Sequence, residues 1–177
     1  MTDPRLDWIR AGQDYLREHG AAGLKIAALA KHRGATTGSF YHHFANWSTY
    51  LDELADNYAS VDPQDAFALV RELPPVERLR SLFALAKERE IQPLDHAMRV
   101  WAATNPRAEK AVQLLDAEFL QFLREIFVEL GFPDDQARTR ALLAFSASAA
   151  IVYPPWDVDD ADSERAIALL TASQGVR

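Results

Sequence analysis

The sequence predicts an all-α protein, and three observations carry that prediction. Apolar residues recur at spacings of three and four along most of the chain, the period of one helix face. The breaks between those stretches hold glycines and most of the nine prolines, residues that end helices or open them. About half of the 177 residues are apolar, enough for a real core in one compact unit or two tightly joined ones.

The first helix is expected over residues 5–18, where Trp8, Ile9, Tyr15 and Leu16 form one stripe. Gly12 interrupts that stripe; it weakens the helix slightly but lets a neighbouring helix come close. Gly20 ends the helix and residues 21–24 connect to a second, 26–32, with Ile26, Leu29 and Ala30 inward. Gly34 stops it, because glycine enters left-handed backbone space without steric cost. Thr36 or Thr37 then caps a third helix, 37–44, whose apolar side is Phe40, Tyr41 and Phe44. A fourth helix opens near Asn46 or Ser48, with Tyr50, Leu51, Leu54, Ala55 and Tyr58 on one face.

Asp62-Pro63 marks the expected boundary between two domains, 1–62 and 63–177. Beyond it, a short helix over 63–73 is stopped by Pro74-Pro75, and another, 76–91, carries Leu79, Leu82, Phe83 and Ala86 before Pro93 breaks it. A short piece, 94–104, holds His96, Met98 and Trp101. Pro106 suits the first turn of a long helix to residue 130, with Val112, Leu115, Phe119, Phe122, Leu123, Ile126 and Phe127 inward and Gly131 as its cap. The last two helices are expected over 134–152, closed by Pro154-Pro155, and 163–172. The acidic stretch 157–164 reads as a loop capping the second of them; it lacks the ligand spacing and central glycine of a calcium loop.

Residues 24–44, LKIAALAKHRGATTGSFYHHF, read as a helix-turn-helix. Its second helix opens on Thr37, Gly38 and Ser39, which are small and polar. Small residues at a helix N-terminus let backbone amides approach an anion such as a phosphodiester. Thr36, Thr37 and Ser39 can reach base edges in a major groove, and His42 and His43 can donate to phosphate or base. Spacing alone leaves open an ordinary helical hairpin with a histidine-rich surface.

GATTGSFYHHF, preceded by IAALAKHR and followed by a long helix, resembles the DNA-binding segment of the TetR family of bacterial transcriptional regulators. Leu29, Ala30, Gly34, Gly38, Phe40, Tyr41, His43 and Phe44 stand in register with that family's pattern, and the likeness covers residues 5–60. Three departures stand out. Lys25 replaces a capping Ser or Thr; it cannot cap a helix, but it can pair with phosphate as a point charge. Arg33 replaces a small residue before the turn and adds positive charge. Asn46-Trp47-Ser48 replaces a lysine, and Trp47 either packs on the domain or gives its indole N–H to phosphate. The resemblance implies a homodimeric regulator, most often a repressor, bound to a near-palindromic operator in double-stranded DNA. Its contact surface would comprise Lys25, Arg33, Thr36, Thr37, Gly38, Ser39, Tyr41, His42, His43 and Trp47. It also implies that the two C-terminal helices form the dimer interface, for which the small-residue run ALLAFSASAA is suited, and that the chain after residue 62 binds a small effector.

The net charge of −7 argues at first against nucleic acid. Its distribution argues otherwise: residues 1–47 hold six Lys/Arg against four Asp/Glu, and residues 48–177 hold thirteen against twenty-two. An acidic remainder repels the phosphate backbone and helps orient the molecule. There is no cysteine, hence no disulfide or thiolate metal site. No charged-then-apolar leader is evident, and the most apolar stretch, 141–152, is too short to span a bilayer, so a cytoplasmic protein is the expectation.

No catalytic constellation, phosphate loop, cofactor motif or metal spacing stands out, so the expectation is a non-enzyme. Phe83, His96, Met98, Trp101, Phe119, Phe122 and Phe145 are aromatic or soft residues that could line an apolar effector cavity, or simply be core. Two other readings fit the sequence. One is a regulator of the same fold without an effector pocket. The other is a helical-bundle enzyme or binding protein in which residues 24–44 are a scaffold.

Overall fold

The computed structural model describes residues 3–60, 67–89, 91–150 and 159–172, with backbone alone for 59, 60, 149 and 150. Every regular element among them is a helix: α1 Pro4–His19, α2 Ile26–Arg33, α3 Thr37–Tyr41, α4 Trp47–Ser60, α5 Pro75–Glu88, α6 Ile91–Ala102, α7 Pro106–Glu129, α8 Asp134–Ala150 and α9 Asp160–Thr171. Residues 67–70 are helical as well. The expected boundary at Asp62-Pro63 and the stop at Pro154-Pro155 lie outside the described residues. No described helix is long and apolar enough to cross a membrane.

The chain divides into two compact units, one made of Met1–Pro63 with Pro93–Leu115 and the other of Gln64–Gln92 with Asp116–Arg177. The first unit takes in most of α6 and the start of α7 in addition to α1–α4. Its core is built on Trp8, Leu16, Leu29, Phe40, Phe44, Tyr50, Leu54 and Met98, all almost completely buried. Asp3 starts α1 by accepting a hydrogen bond from the Arg5 N–H at 2.9 Å, with Pro4 in the first turn where no N–H is missed. Gly12 lies against α4 so closely that a Cβ there would fall 2.0 Å from the Tyr50 hydroxyl. That hydroxyl is buried and donates to the Trp8 carbonyl at 3.1 Å; burial pushes its pKa well above the ordinary tyrosine value. Gln13 donates to Asn57 at 3.0 Å, and the Tyr58 hydroxyl donates to Asp95 at 2.6 Å, which ties α4 to α6.

In the second unit Leu79, Leu123, Ile126, Phe127 and Ala137 form the buried centre. Gly131 ends α7 with φ 89°, and the Phe132 N–H reaches back to the Phe127 carbonyl at 3.2 Å, so the last carbonyls of the helix are satisfied. Ion pairs join α5 to α7 and α9: Arg78 to Glu129 at 2.8 Å, Arg80 to Glu164 at 2.9 Å and Lys87 to Asp160 at 2.9 Å.

Four boundaries differ from the sequence expectation, each for a local reason. The helix expected over 63–73 ends at Val70, where a tight turn lets the Leu73 N–H bond the Val70 carbonyl at 2.9 Å. The third helix is shorter than 37–44: after Tyr41 the chain tightens into i→i+3 bonds, His42 N–H to Ser39 at 3.3 Å and His43 N–H to Phe40 at 3.0 Å. Pro93 does not break a helix. It sits in the first turn of α6, where a missing N–H costs nothing, and α5 has already ended at Glu88 with Arg89 as its C-cap. The last helix begins at Asp160 rather than Ser163, because Asp159 and Asp162 form a reciprocal capping box. Asp159 accepts the Asp162 N–H at 2.8 Å, and the Asp162 carboxylate accepts the Asp159 N–H at 3.3 Å. The acidic stretch from 160 onward is thus helical, with its charges at the favourable end of the helix dipole.

Candidate nucleic-acid interface

The turn between α2 and α3 follows from three residues. Gly34 takes φ 69° and ψ 31°, in left-handed space, and lets the Ala35 N–H bond the Ala30 carbonyl at 2.8 Å. Thr36 is the residue that caps α3: its hydroxyl accepts the Ser39 N–H at 3.1 Å.

The five residues of α3 form too few internal hydrogen bonds to hold a helix in water. Buried rings hold it instead. Phe40 is fully buried, edge-on to Trp8 at 5.4 Å, stacked on Phe44 at 5.2 Å and edge-on to Tyr50 at 5.3 Å. Trp47 joins the group, stacked on Tyr50 at 4.9 Å and tilted 5.7 Å from Phe40. Such pairs contribute about 0.5–1.5 kcal/mol each beyond their buried area. With Phe40 and Phe44 pointing in, the opposite side of α3 points out. Thr36, Thr37, Gly38 and His42 are exposed, and Ser39 and His43 half-buried. Tyr41 does not share the apolar side with Phe40; it is 56% exposed.

The basic residues around this surface take different roles. Lys25 is exposed at the N-cap position of α2, where its side chain makes no capping hydrogen bond. Arg33 is half-buried, its guanidinium 4.3 Å from the centre of the Trp8 ring. That cation–π contact anchors the side chain while leaving its charge at the surface. Arg5 is exposed, and its guanidinium is held by partners within the protein. It pairs with Glu53 of α4, donating from Nε at 2.8 Å, and from Nη1 to the His43 carbonyl at 2.7 Å, with its guanidinium 4.7 Å from the Phe44 ring centre. The hydrogen bond to Glu53 raises its pKa further. Arg5 therefore fastens the end of α3 to α1 and α4, a role that sequence spacing did not show because its partners lie 38 and 48 residues away.

Of the residues considered for an effector cavity, the structure separates two groups. Met98 and Trp101 are buried in the core of the first unit, and His96 is exposed on the same helix. Phe122 is buried in the second unit, where Phe83, Phe119 and Phe145 pack against the same cluster, Phe119 lying 5.9 Å from Phe145. Within that unit an open cleft of about 560 Å³ runs beside Phe67 and Phe122, with Arg71, Gln121 and Glu125 at its edge. Phe67, stacked 4.9 Å from Phe122, was not visible as a lining residue in the sequence. It stands in the short helix expected over 63–73, and nothing in local spacing ties that helix to Phe122.

No family model matches the sequence, and no curated protein matches it. Solved structures match along nearly the whole chain. A transcriptional regulator from Rhodococcus sp. Rha1 superimposes with a TM-score of 0.70 at 19% identity, over 96% of this chain and 94% of that one. A TetR family protein from Vibrio parahaemolyticus matches with a TM-score of 0.66 at 22% identity, over 96% and 97%. The regulator AibR, solved in complex with isovaleryl coenzyme A and operator DNA, matches with a TM-score of 0.70 at 15% identity, over 96% and 98%. The neighbours are transcriptional regulators, several of them of the TetR family, and the fold is theirs.

Proposed function

We propose that this chain, having the fold of TetR-family transcriptional regulators, is itself a DNA-binding regulator of that kind and not an enzyme, a repressor acting in the cytoplasm. Residues 1–62 bind DNA and residues 63–177 bind an effector and form the dimer. The observation that carries the reading is the outward side of α3. Phe40 and Phe44 are spent on the core, while Thr36, Thr37, Gly38, Tyr41 and His42 are all exposed on the far side of the turn. That is the surface a major groove takes, hydroxyls and imidazole toward base edges and phosphates. Lys25 and Arg33 supply phosphate contacts, and Ser39, His43 and Trp47 complete the footprint.

Two copies related by a two-fold axis require half-sites about one helical turn apart or a little more. The dimer forms through α8 and α9, where Leu142, Leu143 and Leu169 are 55%, 57% and 77% exposed in the single chain. A small apolar effector in the second unit lowers operator affinity; a coupling of about 1–3 kcal/mol suffices for roughly 5- to 150-fold. The cleft beside Phe67 and Phe122 is the supporting observation, and AibR, a neighbour in fold, was solved with a ligand whose acyl end is apolar.

Selection of bound DNA from a random pool, followed by mobility shifts on the selected sequence, tests the reading. The parent should select a near-palindrome, and Thr37→Ala and Tyr41→Ala should lose binding by about tenfold or more while remaining dimers. Operator retardation equal to the parent's by both variants, or no selected sequence at all, rules the assignment out.

A further inference from the structure

Away from the exposed side of α3, the end of α1 and the last turn of α2 bring together Glu18, His19 and His32. A ligand atom from each lies within 4.8 Å of the others. Glu18 Oε2 is 3.5 Å from His19 Nε2 and 4.0 Å from His32 Nδ1. The imidazole rings are 5.9 Å apart and cross at 82°, so neither is stacked on the other. We propose that these three side chains form a binding site for a first-row transition ion of the Zn²⁺ type, which cross-links α1 to α2.

The donor set selects the class of ion. Two imidazoles and one carboxylate suit Zn²⁺, Ni²⁺ or Cu²⁺; Ca²⁺ and Mg²⁺ require oxygen ligands throughout. Tetrahedral bonds of about 2.0–2.2 Å put neighbouring ligand atoms roughly 3.3 Å apart. The observed spacings exceed that by an amount that small side-chain rotations of the exposed Glu18 and His19 remove. Three protein ligands leave a fourth position for water.

The surroundings hold the imidazoles in place. Tyr15 is buried and meets both rings edge-on, His19 at 4.7 Å and His32 at 5.6 Å. It is itself fixed by donating to the Gly23 carbonyl at 3.0 Å. The nearby Arg17 is paired with Asp14 at 2.6 Å, which offsets its charge. The site also lies at the carbonyl end of α1, the negative end of the helix dipole. His19 and His32 come from different helices, so no His-x-x-x-His spacing announces them in the sequence. The site does not depend on whether the chain binds DNA.

Zn²⁺ titrated by calorimetry into full-length protein without a histidine tag should bind at one ion per chain and raise the thermal midpoint. His32→Gln and Glu18→Gln should each weaken binding about tenfold or more and remove the thermal shift. The solvent-exposed Glu18 serves as the variant whose folding is least at risk. His42→Gln/His43→Gln should bind Zn²⁺ like the parent. No binding by the parent, binding that survives both substitutions at the site, or binding lost only in the His42/His43 variant overturns the proposal. The cluster would then be an aromatic and ionic contact between two helices and nothing more.

Discussion

Glycines at two positions have opposite reasons for being there. At Gly12 the constraint is internal, because a Cβ would collide with the Tyr50 hydroxyl. Gly12→Ala should therefore destabilise the protein by about 1–3 kcal/mol in chemical denaturation. Tyr50→Phe removes the colliding oxygen along with one hydrogen bond, worth about 0.5–1.5 kcal/mol. In the double variant the two losses should not add, and the glycine substitution should cost less on the phenylalanine background. At Gly38 there is no such constraint: a Cβ would make only ordinary contact, 3.7 Å from the Thr36 hydroxyl. Gly38→Ala should leave stability unchanged or slightly raised by the better helix former, while weakening operator binding if DNA approaches there. The sequence announced that Gly12 admits a close neighbour, but not which one. Nothing in local spacing ties Tyr50 to position 12, and nothing ties Arg5 to Glu53.

Helix ends were largely legible because capping chemistry is local. The glycine stop after α2, the threonine cap of α3, the Pro106 start and the Gly131 end all follow from residues within a few positions of one another. The errors came where two local signals compete. Pro93 reads as a breaker but is equally at home in a first turn, and α5 has already ended at Glu88. The acids after 157 read as a loop that caps the last helix; Asp159 does cap it, but the helix already starts at Asp160. Asn46 accepts the Thr49 N–H at 2.9 Å at the start of α4. Asn46→Ala should cost about 1 kcal/mol, and Asn46→Asp should be neutral or better, as a carboxylate suits that end of the dipole. Acid acts on the helices of the second unit. The hydrogen bond from Arg78 holds the Glu129 carboxyl below its usual range, and that from Arg165 does the same for Asp162. A lowered carboxyl pKa contributes stability above the ordinary carboxylate range, and that contribution disappears as the pH falls through the shifted value. The thermal midpoint should thus decline on acidification below about pH 4, and less steeply in Arg78→Ala.

For the whole chain, the sequence supplied the fold class and the helix-turn-helix, and it supplied less about the second unit. There the apolar residues mark a core without distinguishing packed rings from ring-lined space, since both use the same amino acids. Assembly is a property of copies and not of one chain, so it needs its own measurement. Leu142→Asp with Leu169→Asp should convert a dimer to a monomer in sedimentation velocity and lower operator affinity, with helix content retained. With a net charge of −7, binding to DNA must rely on local positive groups and fall steeply with salt. Lys25→Gln should weaken binding to all sequences alike and reduce the slope of log affinity against log salt by about one.

Because α3 is secured through the rings of Phe40 and Phe44 and not through its own short ladder, the residues that anchor it and the residues proposed to read DNA are different residues. Substitutions along the outward positions leave the anchor untouched. Under the proposed function, substitutions on this surface change the DNA target and leave the fold intact, which suits it to deliberate retargeting.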